Sequence, residues 1–196
     1  MRALLLTAAH LSLALWAFGT CTAPKNAVES ENCLQGNPVS DWYVIGAGSP
    51  NIQGFATDIS VNAGQIISFK ISATAASYRI DIYRMGYYQG NGGRFIASIS
   101  PSVPLPQMQP PCLTDNSTGL TDCGNWSVSA FWAVPADAVS GIYFAKLIRM
   151  DTGEASPMLF VVRNDSSQAG SSACSCAPLL GPNPCSFVPG SSAPHL

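Results

Sequence analysis

Apolar and polar residues alternate with a period of two along YRIDIYR (78–84). Tyr78, Ile80 and Ile82 fall on one face, and Arg79, Asp81 and Tyr83 on the other. Aromatic and β-branched residues in that alternation predict a strand with one buried side. A turn rich in glycine and tyrosine follows (Gly86, Tyr87, Tyr88, Gly90, Asn91, Gly92, Gly93), and the apolar run 95–99 is the next strand. The same reading predicts strands over 42–45, 52–59 and, after the turn VNAGQ (61–65), 66–71. Further along it predicts 126–132, with Trp126, Val128, Ala130 and Trp132 inward, then the long strand 142–150. The turn DTG (151–153) leads to a last strand over 158–163. The proline-rich stretch 101–111 lacks donors for a sheet ladder and is expected to be a connection.

About eight short strands separated by turn signals, with no helical period among them, predict an all-β fold. The expected architecture is an antiparallel, immunoglobulin-like β-sandwich. Trp132, Ile80, Ile82, Phe69, Tyr143 and Leu147 lie on the apolar phase of their strands and are expected to share one core. SGIY (140–143) opens the long strand after the loop AVPADAV. Tyr143 is therefore either a tyrosine whose hydroxyl bonds back to the loop, as in many such sandwiches, or simply a core aromatic.

The two ends of the chain read differently. A positive start (Met1, Arg2), an apolar run over 3–16 and small residues at Ala17, Gly19 and Ala23 form a secretory signal peptide, too short in its apolar part to remain as a membrane span. Cleavage fits after Gly19 or after Ala23, where Pro24 is unfavourable. The second bond leaves six cysteines and the first leaves seven. The expected division is a signal peptide over 1–23, a polar linker over 24–40, the sandwich over 41–163 and a flexible Cys/Ser/Pro-rich tail over 164–196. No other run is long enough to span a membrane, and the chain is expected to be secreted.

Charge and cysteine content narrow the chemistry. Charged residues are 10% of the chain and the net charge is −2, which argues against an electrostatic nucleic-acid binder. In an oxidising compartment Cys112 and Cys123, separated by turn residues, are expected to form a disulfide worth about 3 kcal/mol on the chain-entropy account. Cys174, Cys176 and Cys185 with His195 do not follow a usual zinc spacing, and Cys33 is expected to find a partner, with the tail as one source. Sequons at Asn116, Asn125 and Asn164 make these candidate glycosylation sites, with Asn116 in the most polar loop. The two histidines are His10 and His195, so a Ser-His or Cys-His arrangement is not expected. Asp58, Asp81, Asp115, Asp122, Asp137 and Asp151 sit where turns and strand edges favour aspartate, and Arg79 with Asp81 reads as a surface ion pair. No catalytic and no metal residue is assigned. Tyr87, Tyr88, Asn91 and Arg94 form the candidate ligand loop, set against a purely structural role in closing the sandwich end.

Three long stretches carry a family resemblance: ENCLQGNPVSDWYVIGAGSPNIQGFATDISVNAGQIISFKI, YRIDIYRMGYYQGNGGR and CLTDNSTGLTDCGNWSVSAFWAVPADAVSGIYFAKLIRMDTG. In this order they resemble the N-terminal β-sandwich region of secreted proteins similar to the N,N-dimethylformamidase large (beta) subunit, over about residues 31–163. The resemblance implies a larger protein whose hydrolytic part follows the sandwich and holds iron through Tyr and Glu side chains. After FVVRND this chain runs into its Ser/Cys/Pro tail instead, so no catalytic or iron-binding residue carries over, and Tyr87 and Tyr88 are not offered as iron ligands. The expected function is a secreted non-catalytic module for interaction or packing, with a catalytic domain or subunit, a cell-surface glycan or a protein as partner. The alternatives are a subunit or truncated piece of an amidohydrolase that needs a missing catalytic domain, and a carbohydrate-binding module.

Overall fold

A computed structural model describes residues 21–165. The expectations for the body of the signal peptide and for the tail beyond Asp165 lie outside the described residues. The strands are β1 (Ile52–Ala56), β2 (Ser60–Asn62), β3 (Ile66–Ala73), β4 (Tyr78–Met85), β5 (Gly93–Ile99), β6 (Leu113–Asp115), β7 (Leu120–Asp122), β8 (Ala130–Ala133), β9 (Gly141–Arg149) and β10 (Ala155–Arg163). They make a five-stranded sheet in the order β2-β10-β9-β4-β5, a three-stranded sheet β1-β3-β8 and the separate hairpin β6-β7. Every pairing is antiparallel except β2 with β10. The fold is therefore all-β, as the alternation predicts, with no helix of more than six residues among those described.

The core forms where the two larger sheets face each other. Ile67, Phe69 and Ile71 come from β3, Ile80 and Ile82 from β4, Tyr143, Ala145 and Leu147 from β9, and Phe160 and Val162 from β10, all buried. All six residues expected to share a core, Trp132 included, belong to this one cluster. Its centre is aromatic: Phe69 meets Phe160 edge-on at 5.7 Å, Trp132 lies 5.8 Å from Tyr143, and Tyr143 stacks on Phe160 at 5.7 Å between centroids. Such offset and edge contacts add to the area these rings remove from water. The Tyr143 hydroxyl donates to the Val139 carbonyl at 2.9 Å, which is the tie from strand start to preceding loop. Ser129, just ahead of β8, is fully buried. Its hydroxyl accepts from the Ile71 amide (2.9 Å) and donates to the Ile71 carbonyl (3.0 Å), extending the β3 ladder with a side chain.

Four expectations change. Residues 42–45 form no strand, because Val39–Trp42 is a short helix, α2, and the chain then runs extended from Tyr43. The strand expected over 126–132 is confined to β8. Val128 is exposed, and the Trp126 ring packs on Phe55 at 5.6 Å while its indole N–H donates to the Pro110 carbonyl. The prolines of 101–111 explain the loss. They leave Gln109, rather than a ladder, to satisfy Ile71 and Ser127 through its side chain. Residues 24–40 are not a bare linker: Ala27–Asn32 is a helix, α1, and its Glu31 is buried. The Arg79–Asp81 pair does form, at 2.9 Å, but Asp81 is buried and also accepts from the Ser98 hydroxyl at 2.7 Å, so the pair is not a surface one on both sides.

Replacing Ile82, fully buried in β4, by alanine should lower the unfolding free energy by roughly 2–5 kcal/mol. Leu159→Ala, on the exposed face of β10, should cost far less. Urea unfolding of the two variants checks the register, since a slip of one residue would reverse the order.

A pH dependence also follows from the core. Burial pushes the phenols of Tyr78 and Tyr143 up to about 12 from an ordinary value of 10. At Tyr78 the Ser129 hydroxyl pulls weakly the other way, but that hydroxyl is taken up by the Ile71 peptide, and the Tyr78 hydroxyl has no partner of good geometry. Between pH 10 and 12 the unfolded chain loses these protons while the folded chain keeps them, so the unfolded state binds fewer protons and stability falls as pH rises. The melting temperature should be insensitive to these groups below pH 10 and drop steeply above it. Absorbance at the tyrosinate band should show Tyr78 and Tyr143 among the tyrosines that ionise only with unfolding.

Candidate functional site

The candidate ligand loop is built between the end of β4 and the start of β5. Glycine is favoured along much of it, and Gly90 and Gly92 have φ of 92° and 80°. At Gly86 a Cβ would collide with the Asn32 side-chain oxygen, and at Gly93 it would sit 3.0 Å from the Trp42 indole. Between them a single 3₁₀ turn, Tyr88–Gly90, puts Tyr88 and Gln89 at φ of 40° and 57°. Non-glycine residues hold such a conformation only where their surroundings over-determine it.

The surroundings do so through charge. Tyr88 is fully buried, and its hydroxyl donates to Glu31 Oε1 at 2.8 Å while accepting from Arg84 Nη1 at 2.9 Å. Arg94 donates to the same Glu31 oxygen from Nε at 2.7 Å and from Nη2 as well. Arg84 is itself buried and spends its remaining donors on the Val139 and Ser140 carbonyls (3.2 and 2.8 Å) and the Asn32 side chain (3.3 Å). Both guanidinium carbons lie 5.9 Å from the Tyr88 ring centroid. Arg94 thus meets the carboxylate directly and Arg84 through the Tyr88 hydroxyl, with neutral oxygens and an aromatic face supplying the rest. Burial raises the Tyr88 phenol above its ordinary value, with Arg84 opposing and Glu31 adding to the shift, so the hydroxyl keeps its proton and donates it to Glu31. Burial works against the Arg94 charge, but Glu31 and Tyr88 outweigh it and raise its pKa.

Of the four loop residues, then, two are not free to meet a ligand. Tyr88 and Arg94 are committed to Glu31, and the Asn91 carbonyl accepts from the Trp42 indole N–H at 3.2 Å. Tyr87 remains half-exposed, with its amide donating to Asn32. The cluster was missed because its key partner lies more than 50 residues earlier, in a segment that reads as polar linker. A signal was nonetheless present. Arg84 continues the inward phase of Tyr78, Ile80 and Ile82, and an arginine on a core-facing phase requires a buried acceptor.

The donor set does not fit an iron site of Tyr and Glu ligands. The Glu31 and Tyr88 oxygens already accept from guanidinium groups, and two adjacent positive charges oppose a third cation. Among the described residues no three His, Cys, Asp or Glu side chains stand close enough to share a metal. The aspartates are tied locally instead. Asp115 accepts from the Ser117 amide and hydroxyl, which hold its carboxyl below the usual range. Asp122 accepts from the Gly124 amide, and Asp151 pairs with Arg149, which lowers it to about 2.

The other expected sites lie apart from this cluster. Cys112 and Cys123 are bonded and close the β6-β7 hairpin, while Cys33 pairs with Cys21 rather than with a tail cysteine. Asn116 lies at the hairpin tip and is exposed. Asn125 is exposed but its amide donates to the Pro111 carbonyl at 2.8 Å, and Asn164 is exposed after β10. A shallow groove of about 260 Å³ not expected from the sequence is lined by Phe55, Trp126, Gln53 and Ser156.

Removing the Tyr88 hydroxyl tests the cluster. Tyr88→Phe leaves Glu31 and Arg84 each short of a buried partner and should cost about 1–3 kcal/mol, whereas Tyr87→Phe should stay within about 0.5 kcal/mol. Equal costs in chemical unfolding would show that the network does not hold the loop.

Comparison with known proteins places these observations. Residues 79–175 match the family model described as N,N-dimethylformamidase beta subunit-like, C-terminal. No curated protein matches the chain. The match begins one residue into β4 and so omits β1 to β3, although β3 pairs with β8 inside it; the structural unit is larger than the matched stretch. The resemblance read from the sequence agrees in family but placed the sandwich in the N-terminal region, whereas the matching model is described as C-terminal. Over residues 79–175, this chain carries an N,N-dimethylformamidase beta subunit-like domain.

Proposed function

We propose that the chain is a secreted, non-catalytic β-sandwich module that packs against the hydrolase-bearing domain or subunit of an N,N-dimethylformamidase-like assembly. One observation carries this reading: the outer face of the five-stranded sheet carries an apolar row that is only partly covered. Across it runs the row Leu159, Phe144, Tyr83 and Phe95, set by the pairings of β10, β9, β4 and β5. The N-terminal segment covers the middle of the row on β9 and β4, with Trp42 against Phe144 and the Asp41 carbonyl accepting from Tyr83 and Lys146. On the β9-β10 side Ile142 and Leu159 remain 54% and 63% exposed. A contiguous apolar strip of this kind suits a protein partner, and the family's description as a beta subunit favours a larger subunit as that partner. Iron and amide hydrolysis, on this reading, belong to the partner. Disulfides Cys21–Cys33 and Cys112–Cys123 support an oxidising compartment, and among the described residues no helix is long and apolar enough to cross a membrane. Asn116 is the best-placed glycan acceptor.

A carbohydrate-binding role is the second reading. The observation that favours it is the Phe55–Trp126 groove rather than the Tyr87 loop. Binding on a glycan array that is lost in Trp126→Ala would support it.

Two measurements test the first reading. The purified chain should release no dimethylamine from N,N-dimethylformamide above a metal-only blank, with or without added iron. Co-expressed with an N,N-dimethylformamidase-type hydrolase domain, it should co-elute, and Ile142→Lys with Leu159→Lys should abolish co-elution while shifting the melting temperature by no more than a few degrees. Turnover by the chain alone, or co-elution untouched by the double substitution, would overturn it.

A further inference from the structure

The short helix α1 is held at both ends by features that need residues ahead of it. Its N-cap, Asn26, accepts from the Glu29 amide at 2.9 Å, and Glu29 returns the contact by accepting from the Lys25 amide (2.6 Å) and the Asn26 side chain (3.1 Å). At its C-cap, the Cys33 amide donates to the Glu29 and Ser30 carbonyls, its carbonyl accepts from the Gln89 side chain, and its sulfur bonds to Cys21. Six residues are too few to hold a helix alone. The loop closed by Cys21 and Cys33 encloses all of α1, including Glu31, the one carboxylate that Arg94 and Tyr88 share.

That pairing discriminates between the two candidate leader-peptidase bonds. Cleavage at Ala23–Pro24 discards Cys21, leaves Cys33 without the partner the fold provides, and puts an imino acid directly after the scissile bond. Cleavage at Gly19–Thr20 has small residues, Gly19 and Ala17, one and three places before the bond and keeps Cys21.

We propose that the leader is removed at Gly19–Thr20, so that the mature chain begins at Thr20 and retains Cys21 to lock α1 through Cys33. This rests on the secretory reading above. Water adds across the peptide bond, leaving a carboxylate on Gly19 and an ammonium group on Thr20. The Cys21 and Cys33 thiols then lose two protons and two electrons as the S–S bond forms, and the electrons pass to the disulfide of a secretory thiol oxidoreductase. The boundary of the leader thereby moves from Ala23 to Gly19.

The full 196-residue coding sequence, expressed in a secreting eukaryotic cell line, tests the proposal. N-terminal sequencing and intact mass of the secreted protein should give Thr20. A non-reducing tryptic digest should contain residues 20–25 joined to the peptide that carries Cys33, separating on reduction. Cys21→Ser should expose Cys33 to a thiol label and lower the secreted yield several-fold, and Gly19→Arg should block processing at this bond. A mature chain beginning at Pro24, or Cys33 found free or joined to a tail cysteine, overturns the proposal while leaving secretion intact. An unprocessed chain beginning at Met1 and retained in the cell overturns the secretory reading together with it.

Discussion

The buried Arg84 guanidinium constrains this molecule more than any other group. It lies on the core-facing phase of β4, an inner strand of the larger sheet, where a bare charge would be prohibitively costly. Its counter-charge is Glu31, reached through the Tyr88 hydroxyl, and its remaining donors take carbonyls of the loop that leads into β9. Four separate stretches of chain are therefore placed by one cation: α1, the end of β4, the Tyr88 turn and the entry to β9. The left-handed backbone at Tyr88 and Gln89 accompanies this, in a turn that holds the phenol inward between the two guanidinium groups.

Strands with a clean alternation were legible in the sequence. β3, β4, β9 and β10 fall within a few residues of their expected limits, because each buries one face on the other sheet and the period of two records that directly. Tyr143 was legible for the same reason, together with its position at a strand entry. What failed was decided by contacts distant in sequence. Trp126 and Val128 continue the alternation of β8, yet the proline-rich connection takes the ladder's place there. Trp42 and Tyr43 have strand-like side chains, yet Pro38 ahead of them and the seat for Trp42 over Gly92 and Gly93 favour a helical turn. Tyr88 and Arg94 looked like surface recognition residues because nothing local shows that Glu31, some 60 residues earlier, folds over them.

The segment before the sandwich and the sandwich itself are consequently one structure. α1 supplies the carboxylate, α2 supplies the indole that covers part of the outer face, and Asn37 links the two by bonding to β5 from both sides of its peptide and side chain. The family match, which starts inside β4, marks a stretch of related sequence rather than a unit that folds.

The bridge between Asn37 and Gly93 also determines how copies of this sheet can meet. β5 is the last strand on one side of the five-stranded sheet, and Asn37 occupies hydrogen-bonding positions at its start. On the other side the last strand is β2, only three residues long and running parallel to its neighbour. A short strand at one margin and one whose start is occupied at the other reduce the exposed ladder that could template another chain. Lateral growth into ribbons or fibrils is thereby disfavoured, and adhesion is directed to the broad side of the sheet.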